Sequence, residues 1–320
     1  PNETRRSLDR GINRTVPFPK STPMTRPLHI TSGDTAGGAL EKAGLPGDVF
    51  VWHDIFYGGP PRTGWPDDAT LQGRARFLEQ ETGGGLTRTQ IITVLRKQYR
   101  TLAENAGTRP IVLWFDACLF DQSMLAHLLA CLWIRQAREV DLLVVDAFPG
   151  ITPYHGLGQL SPGQLASRYD QRRPVSDAQF QFAVQADRAF GLPDPALLSH
   201  LAQLPHAPLP AIPAAAARWL AEQPDPATGL KRLERLALEA VRAGNRTPTA
   251  IFTAVSAADT PPQFWGDTTL WAAVNQLAAR TPPLVAITGP RPRLPQWTSD
   301  APLDAFRITP APEPGPHPAT

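Results

Sequence analysis

The chain has 320 residues, 42% of them hydrophobic and 19% charged, which is enough for one large or two ordinary domains with buried cores. No apolar run approaches the roughly 20 residues that a membrane-spanning helix needs, so none is expected. The formal net charge of +2 is gathered at the front, where Arg5, Arg6, Arg10, Arg14 and Lys20 meet only Glu3 and Asp9; the remainder is near neutral, which argues against nucleic acid as a partner.

Residues 1–23 lack apolar periodicity and read as a flexible extension ahead of Met24, with a basic arm for an acidic partner as the alternative. Leu28 to Ser32 is a short strand that runs into Gly33-Asp34-Thr35, a tight turn and a helix start. Such a turn offers free backbone N–H groups and the positive end of a helix dipole to a phosphate or carboxylate. It lacks both the glycine spacing of a dinucleotide fingerprint and the lysine of a P-loop, and Asp34 or Thr35 capping its own helix is the plainer reading. Asp48 to Trp52 is a second strand, ending in His53-Asp54 before Gly58-Gly59-Pro60-Pro61. Residues 69–107 are expected to be mostly helical, with Ile91, Ile92, Leu95, Tyr99 and Leu102 as an apolar stripe. Arg74 and Arg76 precede that stripe, either on a solvated helix face or within reach of an anionic ligand.

The stretch Pro110 to Trp133 organises the rest: a buried strand, an acidic turn with Asp116, Cys118, Asp121 and Gln122, and an amphipathic helix with one apolar face for a sheet. Val140 to Ala147 is a further apolar strand, so four strands alternating with helices predict a Rossmann-like α/β domain over 24–163, its parallel sheet flanked by helices. Residues 164–225 read as a helical connector and 226–290 as a helical, winged-helix-like domain, three helices followed by a strand; 291–320 form a proline-rich tail ordered only where it docks. The third of these helices, from Asp267, carries no cation, so the lobe is expected to pack on the first domain or on a protein partner, not on DNA.

The chain resembles the bacterial domain of unknown function 1835 family, usually paired with a second, helical domain of unknown function. The matching pieces are His29 to Thr35, Asp54 with Gly59-Pro60, Leu113-Trp114-Phe115 through Asp121-Gln122, Leu157-Gly158 with Leu160-Ser161-Pro162, and Gly229-Leu230 to Glu234 with Gly266-Asp267. They cover most of residues 27–288 in order. The resemblance implies a Rossmann-like first domain and a helical second one, and no activity. Family members are often more acidic or histidine-containing between Phe115 and Leu119 than Asp116-Ala117-Cys118 is here, which weakens a metal site.

If the strand tips converge, His29, Asp34, Asp116 and Asp121 line one crevice as candidate catalytic groups, with His29 as general acid or base. Gly33, Thr35, Asp54, Arg74 and Gln122 then surround a small anionic, phosphate-containing or nucleotide-like ligand. Gathered carboxylates raise one another's pKa or call for a hard cation, magnesium by donor type. A buried, hydrogen-bonded strand histidine is the competing account of His29. Two further enzyme readings are weaker: Thr35 as nucleophile in a Gly-Asp-Thr block, which lacks a late Asp-x-x-His partner, and Cys118 as a thiolate at a helix start, opposed by Asp116 and Asp121. The rival to any enzyme is a regulatory or protein-interaction module using the second domain. The two cysteines, Cys118 and Cys131, flank one helix in a chain without a secretory segment, so the expected compartment is the cytoplasm, without a disulfide framework.

Overall fold

The computed structural model describes residues 26–297 and 301–312; the extension expected over 1–23 and the last part of the proline-rich tail lie outside them. The first half alternates strand and helix: β1 (Leu28–Ser32), α1 (Asp34–Glu41), β2 (Asp48–Trp52), α2 (Asp68–Glu81), α3 (Arg88–Asn105), β3 (Ile111–Asp116), α4 (Leu119–Ile134) and β4 (Val140–Val145). Then come α5 (Pro162–Ala166), β5 (Arg173–Pro174), α6 (Asp177–Gly191), α7 (Pro195–Ala202) and α8 (Ile212–Ala221). The last part holds α9 (Arg232–Arg242), α10 (Pro248–Ala258), α11 (Asp267–Ala279), β6 (Val285–Thr288) and β7 (Arg307–Pro310). Among the described residues no helix is long and apolar enough to cross a membrane.

The main sheet runs β2-β1-β3-β4-β5, parallel except for β5. Ile111, Leu113 and Phe115 of β3 point to one face, which α2, α3 and α4 cover; Val112 and Trp114 point to the other, where α1, α5 and residues 148–160 lie. Burial on both faces is why β3 reads as an unbroken apolar run from Ile111 to Phe115; β1 is buried at all five positions as well, with His29, Thr31 and Ser32 among them. The chain leaves β1 toward β2 and later returns to the opposite side of β1 as β3. The order therefore reverses between β1 and β3, and a crevice is expected outside their carboxyl ends.

The organising helix departs from its expected form. An amphipathic α4 is corrected to a helix buried nearly all round, Leu119 and Asp121 to Leu132 included, because α6 and α8 cover the side facing away from the sheet. The helices of 164–225 are thus part of the packing around the sheet's main helix. One apolar core runs continuously from Leu28 through Phe190 and Trp219 to Ile308.

The last part comprises α9 to α11 and a two-stranded antiparallel sheet, β6-β7. As expected from the missing cations, α11 packs inward, burying Leu270, Trp271, Val274 and Leu277. Direct contacts tie this lobe to the first half: Gln296 Nε2 donates to Glu81 O at 2.8 Å and Phe264 meets Tyr57 edge-on, while Trp219 Nε1 of α8 donates to Tyr57 O at 2.9 Å. The proline-rich tail docks at Leu294, whose N–H and C=O both bond the side chain of Asn275.

Candidate functional site at the carboxyl edge of the sheet

Where β1 and β3 end, their tips are joined. The Ser32 hydroxyl donates to Asp121 Oδ1, and the Asp116 N–H donates to Asp121 Oδ2 at 2.7 Å. Asp116 Oδ1 accepts the Cys118 N–H at 2.8 Å, and Gln122 Nε2 donates to Asp116 O at 2.5 Å. Ser32, Asp116, Asp121 and Gln122 are all buried. Burial pushes the Asp116 carboxyl up, against the pull of its Cys118 and Leu157 contacts. Burial and the neighbouring Asp116 push Asp121 well above the usual carboxylate range.

Residues 148–161 fold over this edge. Gly156, at φ 139°, lies so close to Asp116 Oδ2 that any Cβ there would collide with it, which is why glycine occupies the position. Gly158 sits beside Thr35. The Tyr154 hydroxyl and His155 Nδ1 are buried without a hydrogen-bond partner among the described residues. Burial, then the charges of Asp116 and Asp121, drive the Tyr154 phenol up, so it stays a donor.

Outside this core the rim is open. Gly33 is the N-cap of α1 at φ 72° and supplies no side-chain cap, while Gly33, Asp34 and Thr35 are exposed. The reading in which Asp34 or Thr35 caps the helix is corrected: the Asp34 carboxylate turns aside to His53 Nε2 at 2.9 Å, leaving the first N–H groups of α1 uncapped.

Other expected members of the crevice are elsewhere. His29 is buried in the first half of β1; its Nδ1 accepts from Trp114 Nε1 and its Nε2 meets Pro46 O, each at 3.0 Å. Both ring nitrogens are engaged and burial holds its pKa down, so the general acid–base reading is corrected to a neutral structural histidine. Asp54 and Arg74 form a buried ion pair, Arg74 also donating to Gly58 O and Ile55 O at 2.6 Å. Arg74 is therefore neither on a solvated face nor reaching for a ligand; Arg76 is the exposed one. Cys118 is buried, and burial with Asp116 and Asp121 drives its thiol up, which removes the thiolate nucleophile.

Asp116, Cys118 and Asp121 could converge on a metal ion, their donor atoms lying within 4.8 Å of one another. The set does not suit magnesium. Both Asp121 oxygens and Asp116 Oδ1 already accept hydrogen bonds, Asp116 Oδ2 lies against the backbone at Gly156, and the third donor, the Cys118 sulfur, is soft where magnesium takes oxygens.

Ser32 carries no signal in the sequence beyond its place as the last residue of β1. A buried network in the helical layer is nearly as hidden there. Arg62 Nη1 donates to Asp187 Oδ1 at 2.5 Å, His127 Nδ1 meets the same oxygen at 2.9 Å, and the Tyr99 hydroxyl meets His127 Nε2 at 2.7 Å. A histidine inside the apolar run Leu125 to Leu132 was the available signal, since a buried polar ring needs partners. Burial opposes the charge on Asp187, but His127 and Arg62 outweigh it and hold the group ionised.

Neither a protein-family model nor a curated protein matches this chain.

Proposed function

We propose that the first half is a binding module for a small anionic ligand, phosphate-containing or nucleotide-like, seated on the exposed amino end of α1 at the carboxyl edge of the sheet. The observation that carries this is the uncapped turn Gly33-Asp34-Thr35, whose N–H groups have no side-chain acceptor although Asp34 stands beside them. The loop 148–161, with the Tyr154 hydroxyl and His155 Nδ1, supplies further donors at the same edge. The buried Ser32–Asp121–Asp116 cluster acts as the foundation that fixes the two strand tips.

Binding is favoured over turnover because three of the four residues read as catalytic, His29, Asp116 and Asp121, spend their polar atoms on internal bonds. The fourth, Asp34, is exposed and paired with His53. Membership of the domain of unknown function 1835 family belongs to this proposal and adds no activity to it.

A second reading, a regulatory or interaction module, has one observation in its favour: three helices followed by an antiparallel strand pair are the outline of a winged helix. The inward packing of α11 favours using that lobe as a support for the first half.

A thermal-shift screen against nucleotides and sugar phosphates, run on the wild type and Thr35→Glu, tests the binding reading. A stabilising phosphate compound whose effect Thr35→Glu removes supports it. A screen without any stabilising compound, or an equal response from both proteins, counts against it.

A further inference from the structure

We propose that the cavity where the β3–α4 turn meets α8, α9 and Pro261–Pro262 is a second binding site, for a small monocarboxylic acid with an apolar body. It has a volume of about 290 Å³ and is bounded by Ala117 and Leu119 on one side and by Ala217, Arg218, Arg232 and Pro262 on the other. It joins the two halves of the chain, a common place for small-molecule sites.

The two arginines differ in what they have left to offer. Arg218 has a partner at each nitrogen: Nε donates to Glu222, Nη2 to Asp259 and Nη1 to Thr260 O, at 2.8, 2.8 and 3.0 Å. Arg232 spends Nε and Nη2 on Asp259 and Thr260, and its Nη1 has no partner among the described residues. Two guanidinium groups are thus balanced by Asp259 and Glu222. Burial opposes the charge on Asp259, but Arg218, Trp265 and Arg232 hold it ionised; burial raises Glu222, which gives up its charge more readily. The anchor for an anion is therefore the unspent Arg232 Nη1, with the dipole at the amino end of α4 beside it.

The remaining wall selects the ligand. Apart from the Thr260 hydroxyl, alanine, leucine and proline side chains give the rest of the lining, so a phosphate dianion would leave oxygens unpaired. A carboxylate can rest on Arg232 Nη1 with its hydrocarbon part against Ala117, Ala217 and Pro262.

The test uses benzoate as the probe, with benzamide and inorganic phosphate as controls, in calorimetric titrations of the full chain. Ala217 and Ala214 are exposed residues of α8 that line the cavity, so Ala217→Phe or Ala214→Phe fills it without entering the core. The wild type is expected to bind benzoate saturably and benzamide roughly 10- to 100-fold more weakly, the range for a hydrogen bond to a charged group. Either filling variant should abolish benzoate binding while keeping the wild-type melting temperature, and Arg232→Gln should weaken it by a similar factor. Thr35→Glu should leave it unchanged, which separates this site from the phosphate seat on α1. Absence of saturable benzoate binding, equal binding of benzamide, or undiminished binding by folded Ala217→Phe and Ala214→Phe would overturn the proposal.

Discussion

The Ser32 hydroxyl donates to the buried Asp121 carboxyl, and through that bond the end of β1 is tied to the first turn of α4. Asp121 also takes the Asp116 N–H, so one side chain holds the tips of β1 and β3 together where the strand order reverses. An acid in that position need not be charged to do this work. An asparagine keeps one of the two accepting oxygens for the Asp116 N–H, and its amide nitrogen can donate to the Ser32 oxygen once that hydroxyl turns to accept.

Asp121→Asn is accordingly expected to fold and to change how stability depends on pH. Asp116 and Asp121 are both pushed up in the folded chain, so the folded state keeps protons that the unfolded chain releases near the ordinary carboxylate value of 3.8. Their contribution is full below that pH and is lost as pH rises through the raised values. Denaturant titrations across this range should show a flatter decline for Asp121→Asn than for the wild type, whereas identical slopes would contradict proton retention at Asp121. Asp121→Ala, which strands two buried donors, should cost about 2 kcal/mol or more.

The Arg62–His127–Asp187 network responds in the opposite sense. Burial keeps His127 neutral in the folded chain, while the unfolded chain protonates near 6.5. Stability should therefore fall as pH drops below that value toward the depressed one, and His127→Gln should remove this part of the dependence. At neutral pH, Tyr99→Phe should lose about 1 kcal/mol and Asp187→Ala about 3 to 5 kcal/mol, because the second leaves the Arg62 guanidinium buried without its carboxylate. Comparable losses from the two, measured by urea denaturation, would mean that the charge pair is not what the network depends on.

Adjacent glycines in α1 should behave differently. A Cβ at Gly37 would run into the Val51 side chain on β2, whereas one at Gly38 meets nothing within 4 Å. Gly38→Ala should stabilise by about 0.5 to 1 kcal/mol through helix propensity, and Gly37→Ala should destabilise by about 1 to 3 kcal/mol by prising α1 from the sheet. Melting curves of the two variants read this directly; equal shifts would mean that α1 does not pack closely on β2.

The four parallel strands of the main sheet were legible because strands covered by helices are rich in apolar residues, whereas the short antiparallel β5, Arg173–Pro174, carries no such signal. Leu28–Ser32 and Asp48–Trp52 end where the acidic and glycine-rich turns begin, as the residue pattern requires. Less legible was which polar residues would be consumed internally. Arg74 looks like any arginine on a helix until Asp54, 20 residues away, is brought against it. His29 looks like a candidate base until Trp114 and Pro46 take its two nitrogens. Such pairings are long-range, and nothing local in the chain announces them. The covering of α4 on its second side was hidden for a related reason: apolar residues declare that a face is buried, not which element buries it.

The central claim is that the N–H groups at the start of α1 receive an anion, and backbone amide NMR during a titration with inorganic phosphate and adenosine nucleotides tests it most directly. The expected result is saturable shifts at the amides of Asp34, Thr35 and Ala36, strengthened by Asp34→Asn, which removes the competing negative charge, and lost in Thr35→Glu. Amides at 34–36 that stay unmoved while the ligands are present, or that move equally in all three proteins, would contradict it.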